Sequence, residues 1–294
     1  MNHDESHLKE RANPTTTLLV VVAAALLTFG LSFLPLAGLI TYPLRLFSTF
    51  IHETGHALAA LLTFGDVHHL AVFPNGSGVT YTSGGWRFAI SSAGYLGTTL
   101  FGAWMLLSAR KESSARWALG ITGAEVVLMT ALYAGRGALL PSLLGAAATI
   151  GFGAMATNTR YGGISRGLFG MAALGALGAT AAFLWFGGGL LTWVLGLGSG
   201  ALLLAAARYT GGDVSKLAAA FLGIQVSLDA LHDVMHLVGL STFSPAHTDA
   251  VNMAKHYALP PVVWALGWTG ISIVVVCCAV GFLLWEASTQ NRKK

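Results

Sequence analysis

The chain has 294 residues, 54% of them hydrophobic and only 10% charged, where a soluble domain carries about 25% charged residues. Its net charge of +4 is spread between apolar runs instead of being gathered on one face, which excludes a nucleic-acid-binding surface, and no DNA or RNA partner is expected. The composition is that of a polytopic membrane protein, with 37 glycines that suit closely packed spanning helices.

Residues 1–15 form a polar N-terminal tail, 16–287 a single transmembrane domain, and 288–294 a basic C-terminal tail. The first apolar run, Thr17 to Ile40, is long enough to cross a bilayer, with Pro35 ending or kinking it. A second span follows Tyr42-Pro43-Leu44-Arg45 and runs to about Phe64. It carries His52, Glu53 and His56 near its middle. Four residues apart on a helix, the two histidines lie one above the other and can both offer a ring nitrogen to one metal ion. Glu53 points to an adjacent sector, from which it can reach a metal-bound water without ligating. That is the geometry of a zinc hydrolase working at membrane depth.

From Asp66 to Arg87 the texture changes. Val67 to Phe73 has strand character, Pro74-Asn75-Gly76-Ser77-Gly78 is turn chemistry, and Val79 to Thr82 is a second β-rich run. A hairpin is expected, lying at the interface or in a protein-lined cavity because an open strand edge cannot face lipid. Its edge suits a substrate added as an extra strand. His68 and His69 read as solvated loop residues. The third span, about Phe88 to Ser108, carries Ser91, Ser92, Gly94 and Gly97, small residues for close packing. Further runs lie at about 117–134, 138–156, 167–187 and 190–207. The next begins near Val214 and the last covers Pro261 to Trp285, where Cys277 and Cys278 are packing residues. The fold class is all-α and polytopic, a bundle of eight or nine transmembrane helices with a small β-hairpin after the catalytic helix.

On the span from Val214, Gln225, Asp229, Asp233 and His236 fall within about an 80° sector, a polar stripe on an apolar helix. Two carboxylates in one stripe call for a cation. A zinc ion held by His52 and His56 wants a third protein ligand and one open position, and this stripe is where to seek it. Beyond it, His247 and Asp249 cap the next helix, or Asp249 approaches the metal from a loop.

Together, Phe50 to Ala60, the β-rich Val67 to Tyr81, Ala93-Gly94-Tyr95-Leu96-Gly97 and His247-Thr248-Asp249-Ala250 resemble the site-2 protease family of intramembrane zinc metalloproteases, in its small PDZ-less bacterial and plant branch. The resemblance implies one Zn2+ held by His52, His56 and an aspartate, with Glu53 as general base and membrane-protein or peptide substrates guided by the strands. The family's aspartate follows an Asn by eight residues, and here Gln225 precedes Asp233 by eight, so Asp233 leads as third ligand, then Asp229, then Asp249. The setting is an integral, multi-pass protein of the bacterial cell membrane. Basic loops on nine spans put the hairpin outside, whereas the resemblance puts its strands towards the cytoplasm. The alternative function is a divalent-metal transporter or metal-binding membrane protein, in which the same histidines and aspartates form a transit site.

Overall fold

A computed structural model describes residues 37–134, 136–186, 189–243 and 248–291, with scattered positions between 19 and 26. Most of the span expected at Thr17 to Ile40 therefore lies outside the described residues. So do Pro35, the tail 1–15, His247 and the final Arg292-Lys293-Lys294.

Helix α1 spans Ala37–Leu62. Pro43 sits in its second turn, where it removes one backbone hydrogen bond without stopping the helix. The helix ends where Thr63 Oγ1 turns back to donate to the Ala59 carbonyl at 2.7 Å and Phe64 takes a left-handed backbone, φ 62°. Strands β1 (Gly65–Val72) and β2 (Gly78–Gly84) then pair antiparallel, Gly65 opposite Gly84 and Val72 opposite Gly78, with an irregularity between Val67 and His69. The turn is built as its residues dictate. Gly76 supplies a positive φ of 86°, and the Asn75 side chain accepts from the Ser77 backbone N–H at 3.0 Å. The expected hairpin is present, and His68 and His69 belong to β1 instead of a loop. His68 meets Ser83 across the pair, and His69 stacks on Tyr81.

The hairpin folds back along α1. Tyr42 donates to the Pro74 carbonyl at 2.5 Å and Thr49 to the Gly76 carbonyl at 2.9 Å. Val67, Leu70, Ala71 and Val72 turn into the core beside Phe47, Phe50 and Met105. The outer edge of β1 is closed: the Val72 N–H donates to Thr192 Oγ1 at 2.8 Å, and Leu70 bridges to Ala134. Among the described residues the sheet has two strands, and the opposite edge of β2 carries no further strand.

The remaining helices are α2 (Arg87–Ser108), α3 (Glu112–Tyr133), α4 (Arg136–Thr157), α5 (Gly163–Phe186), α6 (Gly189–Tyr209), α7 (Gly212–Phe243), the short α8 (Asp249–His256) and α9 (Pro261–Asn291). Among the described residues, six helices are long and apolar enough to cross a membrane: α2, α3, α5, α6, α7 and α9. Side chains such as Trp117, Ile164 and Leu202 point outward from them, which in water would be a costly surface and in lipid is the expected one. α2 packs against α1, α7 and α9, α3 against α6, and α4 chiefly against α5. α1 and α2 approach closely because Gly55 has no Cβ, and one placed there would strike the Ala93 carbonyl. At the far end of α2, Arg110 forms a two-point ion pair with Glu286 of α9, its Nε donating to Oε2 at 2.7 Å.

Candidate metal centre

One turn of α1 brings His52 and His56 together, their Nε2 atoms 3.1 Å apart. His56 Nδ1 donates to the Ile90 carbonyl at 2.6 Å, which leaves Nε2 as the lone-pair nitrogen facing His52. Tyr95 packs edge-on against the His52 ring, centroids 4.5 Å apart, and restrains its rotation. Between these groups stands Gly94. A Cβ at this position would fall onto both Nε2 atoms, so the glycine keeps open the space the two imidazoles face.

The third group comes from α8. Asp249 Oδ2 lies 3.5 Å from His52 Nε2 and 3.3 Å from His56 Nε2. The Thr248 side chain caps the helix by accepting from the Val251 N–H at 3.3 Å. Ala250 and Met253 are buried against Val234 and Leu237 of α7 and Trp268 of α9. With its back pinned this way, α8 has one orientation, and its first residue faces the histidines. Burial by itself would raise the Asp249 pKa, but in the absence of a metal the two adjacent histidines, in their protonated form, outweigh it and hold the carboxyl below the usual carboxylate range.

The sequence order of third-ligand candidates is not the spatial one. Asp249, placed last, is the carboxylate that groups with His52 and His56. Asp233 stands on the wall of the same cavity and lies 3.6 Å from His232. Asp229 is further along α7, where it accepts from the Gln225 amide at 3.3 Å. The polar stripe on α7 therefore splits: Asp233 and His236 reach the cavity, while Gln225 and Asp229 bond to each other. His247, the other expected cap, is outside the described residues.

Glu53 is 5% exposed. It is reached from β2, where Thr80 Oγ1 donates to its carboxylate at 2.6 Å, and Gly78 leaves room for that carboxylate because a Cβ there would overlap it. Glu53, the histidines, Asp249 and the β2 residues Gly78 to Thr80 all line one cavity of about 620 Å³.

The three donor atoms form a triangle with sides of 3.1, 3.5 and 3.3 Å. A small tetrahedral divalent ion with bonds of ~2.0–2.1 Å separates its ligand atoms by ~3.3 Å. Two imidazoles and one carboxylate, a tautomer set by Ile90 and the clearance left by Gly94 all fit a metal with one position open to the cavity.

A family model described as Peptidase M50B-like matches residues 15–177 and 137–279. The chain belongs to this family. Peptidase M50B-like membership and the six apolar helices make it an integral membrane protein of a metallopeptidase family, in agreement with the resemblance to site-2 proteases. Curated proteins and solved structures give no match.

Proposed function

We propose that this Peptidase M50B-like protein is an intramembrane zinc endopeptidase of the bacterial cell membrane, hydrolysing membrane-protein or peptide substrates. His52, His56 and Asp249 would hold the ion and Glu53 would serve as general base. The observation that carries this reading is the meeting of the three donor atoms and the Glu53 carboxylate on one cavity wall beside a strand whose outer edge no described strand pairs.

When bound, zinc supplies Lewis acidity, polarising a carbonyl and acidifying water. The chain's own residues do the rest. The free edge of β2 offers backbone N–H and C=O groups to an extended peptide, which a substrate helix can use only after unwinding. Glu53 accepts a proton from the attacking water as the oxygen bonds to the scissile carbon, and returns it to the nitrogen as the C–N bond breaks. Thr80 fixes the carboxylate during both transfers. Asp233 and His236 keep part of the wall polar, so water can stand in a cavity otherwise bounded by apolar helices.

The test is cleavage of single-span membrane proteins in proteoliposomes. Wild type is expected to cleave and Glu53→Gln to retain zinc without cleaving. Cleavage surviving in the Glu53 variant removes the base, and a transport reading would instead show metal flux that survives it.

A further inference from the structure

Part of the cavity wall is formed by one face of α8. Asp249, Asn252 and His256 recur at i, i+3 and i+7, so they stand in a row, and all three line the cavity. The first belongs to the metal centre and the last meets Arg87: Arg87 Nη1 donates to His256 Nε2 at 3.0 Å. Arg87, itself exposed, opens α2 one turn ahead of Ile90, whose carbonyl holds His56, and it lines the same cavity as the metal ligands.

Among the described residues, Arg87 is the only Lys or Arg on this wall, and no carboxylate pairs with it. A histidine that accepts at Nε2 brings no negative charge. The cavity's own carboxylates are engaged elsewhere, Glu53 by Thr80, Asp249 by the two imidazoles and Asp233 near His232. A guanidinium carries five donors in a planar fork suited to a carboxylate, and here that fork lines the space that, on the peptidase reading, receives peptide.

We infer that Arg87, steadied by His256, is a specificity-determining residue that receives an acidic side chain of the substrate. The inference rests on the peptidase reading above and adds the substrate class. β2 runs from Gly78 and Thr80 at Glu53 to Ser83 and Gly84, three residues ahead of Arg87. At ~3.3 Å per residue, a strand laid on that edge brings a side chain about three to five positions from the scissile bond towards Arg87.

The test uses zinc-loaded full-length protein in detergent and a fluorogenic peptide series carrying Glu, Gln or Lys at each of positions one to six on either side of the cleaved bond. At one position wild type is expected to favour Glu over Gln by about two- to five-fold in kcat/KM, the scale of one exposed ion pair. Arg87→Gln should bring that ratio to about one, and Arg87→Glu should invert it in favour of Lys, a reversal that loss of folding cannot produce. Equal cleavage of Glu and Gln peptides by wild type, or a preference that survives in both variants, overturns the inference and leaves the peptidase reading standing. Cleavage of no peptide and no membrane substrate overturns both.

Discussion

Thr80 Oγ1 lies 2.6 Å from the Glu53 carboxylate and 2.9 Å from the Glu53 backbone carbonyl, so a single hydroxyl on β2 is shared between the side chain and the main chain of the proposed base. The strand proposed to receive a peptide is thereby tied to the group proposed to act on it. Thr80→Val removes the donor while keeping the shape, and is expected to lower kcat by about ten-fold, the scale of one hydrogen bond to a charged group. Zinc content should be unchanged and Thr80→Ser should restore the rate, as read by initial velocities beside metal analysis.

The placement of the carboxylates separates three aspartates by one measurement. Asp249→Ala should lose tightly held zinc, whereas Asp233→Ala and Asp229→Ala should retain one ion per chain, measured by elemental analysis after dialysis. Full zinc in the Asp249 variant would remove that residue from the ligand set.

Gly94→Ala places a methyl group against both Nε2 atoms. Zinc affinity is expected to fall by at least the ~10–100-fold seen when the supporting shell of a metal site is disturbed. Competition with a chromophoric chelator gives the value, and unaltered affinity would show that the histidines have another open side.

Metal removal should act through linkage. An ion bound only by the folded state stabilises it by ~2.7 kcal/mol at a hundred-fold excess over Kd, so chelation should lower the melting temperature of wild type and leave Asp249→Ala almost unmoved. The chelated protein should also show a pH dependence. The folded-state Asp249 pKa is depressed by the imidazoles against the opposing effect of burial. Its contribution is therefore fully present above the ordinary carboxylate pKa of about 4 and is lost as the pH falls towards the folded value. Acid melting of the chelated wild type below about pH 4 should be steeper than that of Asp249→Asn.

What could be read from the sequence was local. His52, Glu53 and His56 are legible because helical periodicity alone brings them together, and the hairpin is legible because Asn75-Gly76 is turn chemistry between two β-rich runs. The span pattern follows from apolar length. Asp249 is different, since it stands almost two hundred residues from its partners and is delivered by the packing of Ala250 and Met253, which no periodicity in α1 encodes. The stripe on α7 drew attention away from it because Asp229 and Asp233 break an apolar span conspicuously, while one aspartate in a short polar segment does not. A signal was present: Thr248 caps a helix on which Asp249, Asn252 and His256 share a face. Gly94 read as a packing residue for the same reason, its role being visible only once two side chains from another helix are in place.

The closed flank of β1 carries a last consequence. With Thr192 holding the Val72 amide and Ala134 against Leu70, the ribbon can be extended in one direction only, and that direction opens into a walled chamber. On the proposed reading an added strand can therefore come only from the cavity side, never from the flank that Thr192 and Ala134 close.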